Sequence, residues 1–146
     1  MNLSERRIRK AEPADVNLIF AFDLESTKYE RRGFIQRAVD NGNAHVLEQD
    51  AKIIAVGILE YAFFEYGFIS LIYVDPRELR TGAGEMLVRC LISACHTSKL
   101  FSSTNLTNLP MHALFANLGF EMSGIVHNLD PKDPEVIYCK ALDSDV

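Results

Sequence analysis

The chain has 146 residues, a formal charge of −5, and 48% hydrophobic against 24% charged residues. That length suits one domain spanning 1–146, able to bury most of its apolar side chains. The acid excess argues against a sequence-independent grip on nucleic acid and suits a cationic small substrate better.

In chain order, Arg7 to Ala11 alternates basic and apolar residues and reads as a short strand. Glu12-Pro13-Ala14-Asp15 has the proline and acids of a helix start, and Val16, Ile19, Phe20 and Leu24 recur at helical spacing, which predicts a helix from Pro13 to about Glu25. A second helix is expected over Tyr29–Val39, with Phe34, Ile35 and Ala38 inward, ended by the turn residues Asp40-Asn41-Gly42-Asn43. Ala44–Glu48 and Lys52–Phe63 form a hairpin closed by Gln49-Asp50. Phe64 to Gly67 turns the chain into a buried strand, Phe68–Val74, which ends at Asp75-Pro76. Two glycines then open an apolar helix from Gly82 to about His96, with Met86, Leu87, Cys90, Leu91, Ala94 and Cys95 on one face. Leu100–Thr104 is a strand parallel to Phe68–Val74, since a helical crossover joins them. Asn108 caps a helix carrying Met111, Leu114, Phe115 and Leu118, which Gly119 stops. Glu121–His127 and Glu135–Leu142 close the fold around an acidic loop. The order βααβββαβαββ predicts a mixed α/β domain, a twisted sheet of six or seven strands flanked by helices.

Cys90, Cys95 and Cys139 are odd in number, form no C-x-x-C pair and read as buried reduced thiols. No histidine pair has metal-ligand spacing, so no metal is expected. Residues 1–10 lack an apolar stretch of signal-peptide length, and no run is long enough to span a membrane. A cytoplasmic protein without a membrane partner is expected.

Strand, glycine turn and helix in succession make an anion site, because free N–H groups at a helix start carry partial positive charge and glycine admits a close approach. Glycine pairs also close turns for steric reasons alone. The turn lacks the lysine of a P-loop, and Leu87 breaks a dinucleotide fingerprint. Arg77 and Arg80 beside the turn favour the anion.

Val74-Asp-Pro-Arg-Glu-Leu-Arg-Thr-Gly-Ala-Gly84 resembles motif A of the GNAT superfamily of N-acetyltransferases, Q/R-x-x-G-x-G/A. Asn108-x-x-Met111-x-x-Leu-Phe115-x-x-x-Gly119-Phe120 is similar to that family's N-x-x-A-x-x-x-Y-x-x-x-G-F segment. Two departures stand out: Leu79 in place of Gln or Arg, and Phe115 where many relatives carry a tyrosine that protonates the leaving thiolate. The resemblance implies acetyl-CoA as acyl donor, its pyrophosphate on Leu79, Arg80, Thr81, Gly82, Ala83 and Gly84. It also implies that the strand Phe68–Val74 splays from Leu100–Thr104 to admit the pantetheine arm, which would meet the N–H groups of Ile72, Tyr73 and Val74, with Asn108 and Phe115 beside the cofactor. A homodimer is one arrangement found among such proteins.

Transfer to an amine needs a proton acceptor, since a lysine-type amine of pKa about 10.4 is charged at neutral pH. Glu60, on the strand next to the central one, is the first candidate base, with a solvent-facing carboxylate as its alternative. Ser70, a polar residue in an apolar strand, is the second, as a holder of water or a core serine bonded to backbone. Glu65 reads as solvated, and His112 as a proton donor or an exposed residue of the first helical turn. His127 stands at the loop before the last strand, and Asp130, Asp133 and Glu135 supply acid there. The expected function is acetyl transfer from acetyl-CoA to a small-molecule or peptide amine, with a CoA-binding sensor module and a plain anion-binding domain as the alternatives.

Overall fold

A computed structural model describes residues 5–22 and 29–142. Its strands and α-helices run β1 Arg6–Lys10, α1 Val16–Phe22, α2 Tyr29–Asp40, β2 Ala44–Gln49, β3 Lys52–Phe63, β4 Tyr66–Val74, α3 Ala83–Ala94, β5 Lys99–Asn105, α4 Leu109–Asn117, β6 Glu121–Val126 and β7 Glu135–Ala141. This is the expected mixed α/β order. Seven strands are ordered β1-β2-β3-β4-β5-β7-β6, mostly antiparallel, with β4 and β5 parallel. The chain groups into two compact units, Met1–Leu59 with Leu71–Leu91, and Glu60–Ser70 with Ile92–Val146.

In the first unit the sheet is covered on both faces, which explains why Ile53 to Leu59 is an unbroken apolar run rather than an alternating one. One face packs Val46, Ile53, Val56, Ile58 and Leu71 against Val16, Ile19 and Phe22 of α1 and Ile35, Ala38 and Val39 of α2. The other packs Leu47, Ile54 and Ala55 against Ala83 and Leu87 of α3. Ile54 and Ala55 are neighbours in sequence yet share a face. The cause is a bulge: Leu47 pairs with Ala55 and Glu48 with Ile53, leaving Ile54 as the extra residue.

Several sequence-based expectations shift. The β2–β3 turn is Asp50-Ala51, both at positive φ, one residue later than Gln49-Asp50, because Gln49 pairs with Lys52. The next turn shortens to Phe64-Glu65, also both at positive φ, so β4 begins at Tyr66. Pro13–Asp15 is a 3-10 turn before α1, and the predicted inward Leu24 and the end at Glu25 lie outside the described residues. On α3, Leu87, Val88 and Leu91 are buried, whereas Met86 and Ala94 are exposed.

The second unit holds the parallel pairing of Gly67–Ile69 with Leu100–Ser102, and β7 between β5 and β6. Its core includes a stack of aromatic rings: Phe115, fully buried, lies 5.0 Å from Tyr138 and 5.1 Å from Phe120, centroid to centroid. Cys90, Cys95 and Cys139 are half-buried free thiols. Burial pushes the Cys90 and Cys139 thiols up from their ordinary pKa. Among the described residues no helix is long and apolar enough to cross a membrane, and no His/Cys/Asp/Glu group is placed to hold a metal ion.

Arg9 joins β1, β2 and the start of α1. Its Nη1 and Nη2 donate to the two oxygens of buried Asp15 at 2.7 and 3.0 Å, and its Nε donates to Glu48 at 2.6 Å. Asp15 also accepts the Glu12 N–H at 2.7 Å. The Arg9 guanidinium holds the Asp15 carboxyl below the usual carboxylate range, against the opposing effect of burial. Asp15→Asn should therefore lower stability by roughly 2 kcal/mol at pH 7, read by denaturant unfolding. A carboxyl depressed in the native state contributes fully above its unfolded value of about 4 and loses that contribution as pH falls through the native value. The gap between wild type and variant should thus close on acidification below about pH 4.

Candidate functional site

The glycine turn begins where β4 stops. Asp75, buried, caps the 3-10 turn Pro76–Glu78 by accepting the Arg77 N–H at 3.0 Å. Its carboxylate also takes the Arg77 Nε and Nη2 at 3.2 and 2.8 Å, and that guanidinium keeps the Asp75 carboxyl below the usual range. Arg77 is therefore committed to Asp75, and of the two arginines expected to flank the turn only Arg80 has its guanidinium without a partner among the described residues. Arg80 and Gly82 both have positive φ, +66° and +85°. With this backbone, the N–H groups of Arg80, Thr81, Gly82, Ala83 and Gly84 reach the start of α3 without acceptors among the described residues. The first α3 bond runs from Met86 N–H to the Gly82 carbonyl at 3.0 Å, so the donors before it point to solvent or to an anion.

Two side chains that sequence reading did not single out hold this turn. Arg6 on β1 donates to the Thr81 carbonyl at 3.0 Å and to Thr81 Oγ1 at 2.8 Å, while Thr81 Oγ1 donates to the Glu78 carbonyl at 2.6 Å. Gln49 accepts from Arg6 Nε at 2.7 Å and donates to Glu78 at 3.3 Å. No local pattern announces these bonds, because their partners lie 43, 75 and 29 residues apart. Leu79 is exposed, so the departure from Gln or Arg at this position removes a surface side chain and leaves the backbone donors in place. On β4, Ile72 and Val74 pack on the α3 side and Tyr73 on the α1–α2 side, 5.9 Å from Phe22. A separate cavity of about 230 Å³ in this unit, bordered by Leu18, Phe22, Lys52, Ile53, Asp75 and Arg77, includes none of the predicted site residues.

In the second unit Glu60 and Ser70 come together. Ser70 Oγ donates to Glu60 Oε2 at 2.8 Å across β3 and β4, both side chains half-buried. Neither alternative reading, a solvated carboxylate or a serine bonded to backbone, describes this pair. Glu60 Oε1 has no acceptor-seeking partner among the described residues and is open to a donor. Glu65 is exposed in its turn. Asn108 caps α4 through its Oδ1, which accepts the Met111 N–H at 3.4 Å, and Phe115, seven residues on, is fully buried in the core.

His112 is half-buried rather than exposed. Its Nδ1 lies 2.6 Å from Tyr138 Oη, and its Nε2 lies 3.1 and 3.0 Å from the carbonyls of Asn105 and Leu106. The loop acids are engaged as well: Asn105 donates to Asp130, Thr107 to Asp133 and Ser103 to Glu135. His127 is exposed at the end of β6.

Comparison with known proteins bears on the family and the fold. The model of the Acetyltransferase (GNAT) family matches residues 12–120. A GNAT acetyltransferase of Bacillus cereus ATCC 10987 is 34% identical, with a TM-score of 0.87 over 94% of this chain and 97% of that one. The fold is also similar to that of the ribosomal-protein-S18-alanine N-acetyltransferase of Escherichia coli, at 19% identity and TM-score 0.83 over 97% and 99% of the two chains. It is similar too to yncA of Salmonella typhimurium, solved with its cofactor acetyl-CoA, at 17% identity and TM-score 0.75 over 95% of each chain. No curated protein matches. The chain belongs to the GNAT acetyltransferase family, whose acyl donor is acetyl-CoA.

A Cβ at Gly82 would meet nothing within 4 Å, so substitution there costs only the strain of positive φ. If this turn is the phosphate cradle, Gly82→Val should fold, at about 1–2 kcal/mol lower stability, and lose acetyl-CoA binding in a calorimetric titration because the branched side chain would block the approach to the turn's N–H groups. Affinity equal to wild type would rule out this turn as the cradle.

Proposed function

We propose that the protein transfers an acetyl group from acetyl-CoA to a primary amine, on a small cationic molecule or on a peptide or protein, by direct attack with both substrates bound. The observation that carries this beyond family membership is the Ser70–Glu60 hydrogen bond, which orients a half-buried carboxylate with one oxygen left open. Glu60 is the base in this reading: it takes the amine proton, directly or through one water, and Ser70 holds its orientation. The amine lone pair attacks the thioester carbonyl carbon, the C–S bond breaks, and the nitrogen gives up its second proton to water as the amide and the CoA thiolate form. Phe115 has no proton to give, so water passes that second proton to the thiolate.

The donor is held by backbone N–H groups in this proposal. Those of Leu79 to Gly84 take the pyrophosphate and those of Ile72 to Val74 the pantetheine arm, a preorganised set of dipoles of the kind that supplies much of a site's electrostatic stabilisation. Asn108 adds a side chain. With its Oδ1 bound to the Met111 N–H, its Nδ2 is turned outward, exposed and without an acceptor among the described residues, ready for a carbonyl of the arm. The Escherichia coli neighbour is named for acetylating an alanine of a ribosomal protein, which supports an amine as acceptor here.

Incubation with acetyl-CoA and a panel of amines, following free thiol, tests the reading. Glu60→Gln should lower kcat by about 10²-fold or more at neutral pH while leaving acetyl-CoA affinity within about twofold, as expected for loss of a general base. A variant as fast as wild type would remove Glu60 from that role. A CoA-binding sensor is the second reading, favoured by the absence of a proton donor at Phe115; saturable acetyl-CoA binding without thiol release across the panel would establish it.

Because Phe115 is fully buried against Tyr138 and Phe120, Phe115→Tyr would bring a hydroxyl into an apolar stack. The expected result is about 1–3 kcal/mol lower stability by thermal unfolding, with turnover per folded molecule unchanged. A rise in turnover would show that a phenol at this position reaches the leaving group.

A further inference from the structure

We propose that His112 is a positioning residue for Asn108, holding the turn between β5 and α4 so that the Asn108 amide is presented to the pantetheine arm; this rests on the reading of Asn108 as a cofactor contact. The hydrogen-bond partners of the imidazole set its tautomer. Both groups at Nε2 are carbonyls, of Asn105 and Leu106, and carbonyls only accept, so Nε2 carries the hydrogen. In the neutral ring Nδ1 is then the acceptor, and the Tyr138 hydroxyl donates to it at 2.6 Å. Tyr138 is buried and its ring packs on Phe115, tilted 35° at 5.0 Å, so the phenol oxygen is held in place.

What the imidazole grips is the turn itself. The Asn105 and Leu106 carbonyls precede Asn108, whose own N–H donates to the Asn105 carbonyl at 3.0 Å. The His112 N–H donates to the Asn108 carbonyl at 3.2 Å, closing the first helical turn. Residues 105–108 are also held by Asp133, which accepts from the Thr107 N–H and Oγ1, and by the Pro134 carbonyl, which accepts the Leu106 N–H at 2.8 Å. The bonds to Asp133 can yield to water, since Thr107 is exposed and Asp133 only half-buried. On the histidine side the Nδ1 bond ends on the phenol of Tyr138, a residue buried in the core. An asparagine that must offer one amide proton in one direction depends on that rigidity.

A histidine that merely stabilised the helix would lower stability without acting through Asn108. A double-mutant cycle separates the two roles. Calorimetric titration of acetyl-CoA should show affinity weakened about fivefold by His112→Phe and by a smaller factor by Tyr138→Phe, which removes only the hydroxyl. In an Asn108→Ala background neither substitution should weaken affinity further. Equal losses in both backgrounds would overturn the proposal, as would wild-type affinity in His112→Phe when Asn108→Ala alone weakens binding. Wild-type affinity in Asn108→Ala would instead strike the reading of Asn108 as a cofactor contact and take the positioning role with it, leaving the cradle to be judged on Gly82→Val. Should His112→Phe fail to fold by thermal unfolding, the cycle of Tyr138→Phe with Asn108→Ala decides the matter by the same criterion.

Discussion

The hydrogen bond from the Asp75 N–H to the carbonyl of Ile54, 2.8 Å long, determines where the chain leaves the sheet and enters the glycine turn. Ile54 is the extra residue of the β2–β3 bulge. The bulge slips the alternation of β3 by one residue, which lets Ile54 and Ala55 share the face of α3 with Leu47. A bond tied to a bulge cannot slide along the strand, so Asp75 is fixed, and with it the capped 3-10 turn and the left-handed Arg80 and Gly82. The geometry of the glycine turn is thus a consequence of strand register. Arg6, Gln49 and the Thr81 hydroxyl hold the turn closed once it has been placed.

The second unit relies on a different device. Its rings of Phe115, Phe120 and Tyr138 form an apolar stack with one polar atom, the Tyr138 hydroxyl, and that atom is satisfied by His112. Burying the hydroxyl without a partner would cost about 1–3 kcal/mol, so the pair is retained or lost together. The acidic loop is drawn to the end of β5 by Asn105, Thr107 and Ser103. Its acids therefore act first as struts, and any attraction for a cation is exerted by carboxylates already held in place.

Local chemistry made much of the fold legible. The apolar run of β3, the helical spacing of Val16 and Ile19, the proline after Asn108 and the glycine pair before α3 each encode their element within a few residues. The glycine pair also marked the turn of unpaired N–H groups before α3, and the polar Ser70 in an apolar strand marked one half of the pair with Glu60. The bulge was not legible, because every residue from Ile53 to Leu59 is small or apolar and register leaves no trace in such a run. The turns at Asp50-Ala51 and Phe64-Glu65 were displaced by one or two residues because they adopt positive φ without glycine or an Asn-Gly pair. Arg6, Gln49 and Tyr138 escaped notice because their roles depend on partners 26 to 75 residues away.

The half-buried thiols bear on the chemistry of the acyl donor. Acetyl-CoA is a thioester, and a protein thiolate near it competes with the amine by taking the acetyl group itself. Attack by sulfur depends on the fraction present as thiolate. Burial raises the Cys90 and Cys139 pKa values and keeps those sulfurs protonated at neutral pH. A chain with three cysteines can in this way work with an activated acyl thioester while two of them resist self-acylation and mixed disulfides with the free coenzyme A it releases.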